Sequence, residues 1–226
     1  MSNLSIVTTA DGSKTIYNAE VGELYHSRNG ALQESRHVFV NSGLRYFLEG
    51  NNVNEVSILE VGFGTGLNFL LSADECMAKA IQLNYTGIEA YPLTPEMMAQ
   101  TGYDEYISPQ LWQPYLEHYP EALLAKVNPV DYCRLEIAKA KLLEFKTDEQ
   151  FDIIYFDAFA ASRQPEMWEE AAINHVICFL KPGGVFVTYA ITGNLKRMLK
   201  ALGLKIEKAP GAAGKREMLR AVKFSV

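Results

Sequence analysis

Residues 58–70 constrain this chain most. An apolar run, Ile58-Leu59-Glu60-Val61, ends in an acid and a valine, then passes through Gly62, Gly64 and Gly66 into a second apolar run, Leu67-Asn68-Phe69-Leu70. That order reads as a buried strand, a tight turn and the start of a helix. It is the place where a doubly wound α/β sheet holds a nucleotide-like ligand, in the crevice outside the carboxyl ends of its strands. Glycines let the backbone turn sharply and approach a ligand closely, and each costs conformational entropy on folding. Three of them within five residues point to a use for that approach.

Their spacing narrows the ligand. The pattern is G-x-G-x-G, and Leu67 stands where the dinucleotide fingerprint G-x-G-x-x-G has its last glycine. A pyrophosphate favours bare N–H groups at a helix start. S-adenosylmethionine has no phosphate and carries a sulfonium and an ammonium, so Glu60 beside the loop suits its cationic end. Glu60, Gly62, Gly64, Gly66 and Asn68 are therefore candidate cofactor contacts, and an NAD-linked oxidoreductase is the disfavoured alternative.

The chain has 226 residues, 48% hydrophobic and 21% charged, which suits one α/β domain with a small insertion. No apolar run approaches the roughly 20 residues of a membrane span. The first residues, MSNLSIVTTADG, lack a basic region followed by an apolar core. Cys76, Cys133 and Cys178 are scattered, as expected of thiols in a reducing cytoplasm, and His26, His37, His118 and His175 have no metal-ligand spacing. The expectations are a cytoplasmic protein with no membrane segment and no metal; a monomer is compatible with the sequence, which leaves the oligomeric state open. The net charge is −6, yet residues 181–226 hold 10 Lys and Arg against 2 Asp and Glu, whereas residues 1–180 hold 11 against 25. A local +8 beside −14 fits either an anionic partner at one end or a set of solvated lysines.

Along the chain, residues 6–17 predict a hairpin about Asp11-Gly12, and 30–47 a helix. Strands are expected at 56–61, 83–89, 131–137, 151–156, 185–190, 204–208 and 217–224, with helices at 66–80, 166–180 and 194–202. Lys181-Pro182-Gly183-Gly184 reads as a turn, and 92–127 as a helical insertion. Strands alternating with helices predict a parallel sheet. The last two strands are joined by a short linker with no helix, so the final strand is expected to run antiparallel. The fold class is thus α/β, a Rossmann-like S-adenosylmethionine-dependent methyltransferase with a mostly parallel seven-stranded sheet and an antiparallel last strand. An N-terminal hairpin and helix (1–50) would pack over the cofactor site, and 51–226 would form the methyltransferase domain.

Three acids close three strands. Glu60 ends the first core strand. Glu89 ends the second, about twenty residues beyond the loop, where an acid accepts hydrogen bonds from ribose hydroxyls. Asp157 ends the strand 151–156 and is the candidate for reaction chemistry: a carboxylate beside a transferable methyl can orient an amine and take its proton. The same residue could cap the following segment. Upstream, Tyr25-His26-Ser27-Arg28 to His37 is dense in polar groups; Tyr25, Glu34 and His37 could form a lid, or the stretch could be a surface helix. Met167 and Trp168 could stack on a base or belong to the core.

These motifs together resemble a family. Tyr25-His26-Ser27-Arg28, Gly30-Ala31-Leu32, Glu34-Ser35-Arg36-His37-Val38-Phe39, Gly62-Phe63-Gly64-Thr65-Gly66-Leu67-Asn68-Phe69, Ile88-Glu89 with Pro92-Leu93-Thr94, Asp157 with Phe159-Ala160, Pro165-Glu166-Met167-Trp168 and Lys215-Arg216-Glu217-Met218-Leu219 are similar to the MnmC/MnmD-type tRNA (5-methylaminomethyl-2-thiouridine) methyltransferases over nearly the whole chain. The resemblance implies S-adenosylmethionine-dependent N-methylation of 5-aminomethyl-(2-thio)uridine at the tRNA wobble position. It places Tyr25 and Glu34 at the cofactor, Asp157 at the amine, and Phe159, Lys215 and Arg216 at the substrate. It also explains a basic C-terminal end in an acidic protein, since phosphate contacts need local cations. The chain departs from the family pattern at Ala138-Lys139-Ala140, where many relatives have Gly-Asp-Ala with the acid near adenine, and at Ala158-Phe159-Ala160-Ala161, where relatives often have proline. Neither the length nor a second glycine fingerprint matches the FAD-dependent domain of some relatives, so a stand-alone methyltransferase is expected. A small-molecule amine methyl- or aminopropyl-transferase and a non-catalytic cofactor- or RNA-binding module remain as alternatives.

Overall fold

A computed structural model describes residues 3–224. Strands β1 (Leu4–Thr8), β2 (Lys14–Asn18) and β3 (Glu23–Leu24) form a small antiparallel sheet in the order β1-β2-β3. Thr8 pairs with Lys14, so the predicted hairpin turns at residues 9–13. This turn starts the helix that follows. Gly30 offers no side chain to cap it; instead Ser13 Oγ accepts the Ala31 and Leu32 N–H groups, both at 3.1 Å, and Asp11 Oδ2 accepts that of Gln33 at 3.0 Å. Helix-start donors are thereby satisfied from another element.

The helical run 31–50 has a π-helical middle, Ser35–Arg45, between short α-helical turns, Ala31–Glu34 and Tyr46–Gly50. It lies close on the main sheet. A Cβ on Gly43 would fall 2.9 Å from the Tyr155 ring and 3.0 Å from Val187, so glycine there sets the approach of helix to sheet.

The main sheet contains β4 (Glu55–Val61), β5 (Gln82–Ile88), β6 (Cys133–Ala138), β7 (Phe151–Phe156), β8 (Leu180–Thr188), β9 (Leu204–Pro210) and β10 (Glu217–Lys223), in the order β6-β5-β4-β7-β8-β10-β9. Pairs from β6 to β8 are parallel. Only β10 is antiparallel, to β8 on one side and β9 on the other. This is the expected Rossmann-like sheet with its antiparallel last strand. The strand order reverses at β4, between β5 and β7, which puts the switch point at the glycine loop.

One expected boundary moves. Lys181-Pro182-Gly183-Gly184 is not a turn before β8 but part of it: Phe151 pairs with Leu180 and Ile153 with Val185, so the extra residues form an irregularity in the strand. A Cβ on Gly184 would lie 2.8 Å from the Lys181 carbonyl and 2.9 Å from that of Asp152. The expected helix 166–180 is a 3-10 turn, Pro165–Trp168, followed by an α-helix, Glu170–Cys178.

The insertion holds helices Pro95–Ala99 and Pro109–Ala122 with a 3-10 turn, Tyr103–Tyr106. It supplies Tyr103, Leu111, Tyr115 and Tyr119 to one face of the sheet, all fully buried with Tyr85 and Tyr155. The opposite face is aliphatic and phenylalanine-rich, around Phe156, Ile173 and Phe186. Among the described residues no helix is long and apolar enough to cross a membrane.

Candidate active site

The carboxyl ends of β4, β5 and β7 meet at the glycine loop. Gly62 and Phe63 donate to the Ile88 carbonyl (3.0 and 3.2 Å), and Asp157 N–H donates to that of Val61 at 2.9 Å. At this convergence Gly62 has φ +85°, and a Cβ there would sit 2.6 Å from the Asp157 carbonyl oxygen. Gly64, φ +53°, lies under the Tyr25 ring, with 3.0 Å to the nearest carbon from a notional Cβ. Gly66, φ +74°, is the left-handed residue before the helix Leu67–Ala78, and a Cβ on it would strike the Tyr115 hydroxyl. Each glycine is required by a different neighbour.

Above the loop opens a cleft of about 1090 Å³. Its walls include Tyr25, the glycine loop, Glu89, residues 139–144, Asp157 and Phe159. Glu89 Oε2 accepts the Gly64 N–H and Oε1 the Tyr91 N–H, both at 2.9 Å. Burial raises its pKa, while the N–H groups of Tyr91, Gly64 and Ala90 pull it back. The carboxylate keeps acceptor capacity for a hydroxyl from the cleft.

Asp157 is half-buried at the cleft, with its Oδ2 accepting from Asn68 Nδ2 at 2.8 Å. Burial and then the Glu34 charge push its pKa up to about 8, against the Asn68 hydrogen bond and Lys215. Glu60 does not line the cleft. It is 1% exposed; its Oε1 accepts from Asn68 Nδ2 and its Oε2 from the Tyr85 hydroxyl, each at 2.8 Å. Burial, followed by the Asp157 charge, raises its pKa well above the usual range. Glu60, expected beside a cationic cofactor, thus lies beneath the cleft, with Asn68 between it and Asp157.

Tyr25 packs edge-on against Phe159 at 5.2 Å between centroids, closing one side of the cleft; burial and the Glu89 charge raise its hydroxyl to about 12. His26, not singled out by the sequence reading, lines the cleft beside it. Its Nδ1 lies 2.9 Å from Thr15 Oγ1 and its Nε2 3.4 Å from Thr65 Oγ1, and burial lowers its pKa to about 4. A neutral imidazole therefore ties β2 to the glycine loop. Its position next to Tyr25, with Thr65 inside the motif, was the available signal.

Glu34 and Lys215 come together, 181 residues apart in sequence, with Nζ 2.6 Å from Oε1. Glu34 Oε2 accepts the Ser27 N–H at 2.9 Å, and Lys215 Nζ lies 4.0 Å from the centroid of the Tyr189 ring. Neither Glu34 nor Lys215 lines the cleft; the pair sits behind Asp157 and contributes through its charges. Arg216 is exposed. His37 points away, its Nε2 2.6 Å from the Pro210 carbonyl. In the loop after β7, Gln164 accepts the Phe159 N–H at 3.2 Å, Trp168 Nε1 donates to the Phe159 carbonyl at 2.8 Å, and the Tyr189 hydroxyl donates to that of Ala158 at 2.9 Å. Trp168 is a buried brace for this loop, and Met167 reaches the cleft wall. The Lys139-Ala140-Lys141 segment lines the end of the cleft near β6 without an acid at 139 or 140.

These residues fit S-adenosylmethionine. The glycines leave space that a Cβ would fill, Glu89 presents a carboxylate at the cleft that could accept from ribose hydroxyls, and Asn68 Oδ1 is a buried acceptor without a partner among the described residues. A Rossmann-like sheet with such a cleft at its switch point defines a nucleoside-binding enzyme class. Residues 106–224, more than half of the chain, match the family described as S-adenosyl-L-methionine-dependent methyltransferase. The chain belongs to that family. It is similar to the tRNA 5-methylaminomethyl-2-thiouridine biosynthesis bifunctional protein MnmC of Methylobacillus flagellatus, 31% identical over 90% of this chain and 33% of that protein. To the protein of the same name from Magnetococcus marinus it is 30% identical over 97% of this chain and 35% of the relative. The chain thus spans about a third of the length of these relatives. Its fold superposes on MNMC2 from Aquifex aeolicus with a TM-score of 0.80 at 23% identity, covering 100% of this chain and 72% of the other.

Proposed function

We propose that this chain methylates the amine of 5-aminomethyl-(2-thio)uridine at the tRNA wobble position, giving 5-methylaminomethyl-(2-thio)uridine. The observation that carries the reading is Asp157: a carboxyl at the cleft beside the glycine loop, held by Asn68 through Oδ2 and raised to about 8. The names of the relatives that match 90% and 97% of the chain support the acceptor.

When bound, S-adenosylmethionine supplies an activated methyl group. Gly62, Gly64, Gly66 and Glu89 would hold it, with Asn68 at its amino-acid end. Asp157 Oδ1 accepts the proton of the incoming ammonium and leaves the nitrogen lone pair free for attack. A carboxyl that titrates near neutral pH is matched to that exchange. Tyr25 and Phe159 wall the acceptor side and exclude water. Residues 1–50 act as a cover on the methyltransferase domain, 51–226, through Tyr25 and His26. Arg216 meets tRNA phosphate, and Lys215 joins it or stays with Glu34. The reaction belongs in the cytoplasm, where its substrate is.

The test is methyl transfer from labelled S-adenosylmethionine to tRNA from cells lacking the final wobble methylation, followed by nucleoside mass analysis. One methyl gained on aminomethyluridine is expected. Incorporation into small amines with no RNA requirement would overturn the acceptor assignment. Replacing Asp157 by Ala is expected to lower turnover at least 100-fold, in the range about 10²–10⁴ of general-base loss, with cofactor binding retained.

A further inference from the structure

If Asp157 accepts the proton, as proposed above, one of its oxygens must face the amine while the other is held. We propose that Glu60 and Asn68 are positioning residues for Asp157, in which the buried Glu60 carboxyl fixes the orientation of the Asn68 amide so that its NH₂ group holds Asp157 Oδ2 and turns Oδ1 to the acceptor.

Three contacts form a line from the core to the cleft: Tyr85 hydroxyl to Glu60 Oε2, Asn68 Nδ2 to Glu60 Oε1, and Asn68 Nδ2 to Asp157 Oδ2, each 2.8 Å. An amide nitrogen has two hydrogens and a carboxylate has only acceptors. Both hydrogens of Asn68 are therefore used on carboxyl oxygens. Turning the amide over would set its oxygen against two carboxyl oxygens at once. Glu60, locked by Tyr85 in a site that is 1% exposed, thus selects the orientation. The arrangement holds whether or not Glu60 carries a proton, because a proton on Oε2 can be donated to the Tyr85 oxygen while Oε1 stays an acceptor.

The cost of this choice is visible. Asn68 Oδ1 is buried and has no partner among the described residues, a penalty of about 1–3 kcal/mol in general. Both donors are nevertheless kept on the acids. No hydrogen bond from the described residues reaches Asp157 Oδ1, which leaves it as the oxygen for the substrate. Glu60 and Asn68 stand at the glycine motif, where the sequence alone suggests cofactor contacts; their main effect is on the adjacent acid, Asp157.

A double-mutant cycle tests this. The rate is single-turnover methyl transfer to undermodified tRNA, and cofactor affinity is the Kd of S-adenosylhomocysteine by calorimetry. At saturating S-adenosylmethionine, Asn68→Ala alone is expected to slow transfer about 10–100-fold, as a misplaced catalytic group does, a loss separate from any weakening of the Kd through its cofactor contact. In an Asp157→Asn background the same change should add less than about threefold, because nothing remains to be aimed. Glu60→Ala should behave like Asn68→Ala, and Glu60→Gln, whose amide can preserve both contacts, should recover at least about tenfold of that loss. If Glu60→Ala does not fold, Asn68→Ala and its cycle decide. Multiplying losses in the cycle, or a weakened Kd with an unchanged rate, would overturn the positioning role while leaving Asp157 in place. An Asp157→Asn enzyme that transfers methyl at the wild-type rate would instead remove Asp157 from the reaction, and the positioning role with it.

Discussion

At the scale of single residues, burial and backbone geometry make two demands that can be measured separately. Gly66 combines φ +74° with a Tyr115 hydroxyl where a Cβ would go. Gly66→Ala is expected to destabilise the fold by about 1–3 kcal/mol, the range for backbone strain of this kind, and to weaken cofactor binding because the loop must shift. Thermal melts and a titration with S-adenosylhomocysteine check both. Asp157 makes the second demand. Its carboxyl rises from the ordinary 3.8 to about 8 on folding, first through burial and then through the Glu34 charge. The folded protein therefore holds this proton where the unfolded chain has lost it. The resulting stabilisation is complete below about pH 4 and is lost as pH rises to about 8. Glu60 and Glu89, also raised by burial, act with the same sign. Ligand-free protein should melt at falling temperature from pH 5 to pH 8, and Asp157→Asn should flatten this slope without abolishing it. An equal slope in the variant would place the titration elsewhere.

At the scale of elements, the alternation of strands and helices was legible because apolar runs bounded by Gly, Pro and acids leave few other readings, and β7 spans the expected residues 151–156. The switch point followed from the glycines. What could not be read depended on partners distant in sequence. Glu60 looked like a loop residue facing a ligand, but Asn68 and Tyr85 hold it beneath the cleft. Lys181-Pro182-Gly183-Gly184 has turn composition, yet pairing with β7 draws it into β8, as tertiary pairing overrides local preference. Glu34 and Lys215 were read as cofactor and substrate contacts, and only the fold pairs them. The capping of the helix at Ala31 by a hairpin residue was equally hidden. It yields a prediction of its own. Ser13, 1% exposed, accepts two helix-start N–H groups, so Ser13→Ala should cost about 1–2 kcal/mol, the upper part of the range for cap loss. Because that helix starts beside Tyr25 and His26, the loss should appear as earlier proteolysis of the N-terminal segment in limited digestion, ahead of global unfolding. Digestion that starts elsewhere would show that the cap is not what secures this element.

At the scale of the whole molecule, charge is distributed unevenly, and on the proposed function the basic end is where an acidic protein would receive a polyanion. The last 46 residues hold 10 Lys and Arg against 2 Asp and Glu; residues 181–224 form most of β8, the helix Gly193–Ala201, β9, β10 and the loops between them, and Lys215, in the loop between β9 and β10, touches Glu34. Adjacent cations here have different surroundings. Arg216 is exposed, whereas Lys215 is held by a largely buried carboxylate and the Tyr189 ring. If Arg216 alone reaches phosphate, Arg216→Ala should reduce the salt dependence of tRNA binding by about one ion in log Kd against log salt. Lys215→Ala should then leave that slope unchanged but strand Glu34 as an unpaired buried acid, lowering the melting temperature and pushing Asp157 still higher. Equal slope changes in the two variants would mean that tRNA draws Lys215 out of its pair. In that case the Glu34 charge would be released beside Asp157 only when RNA is bound, and RNA binding would itself make the Asp157 carboxyl a stronger base.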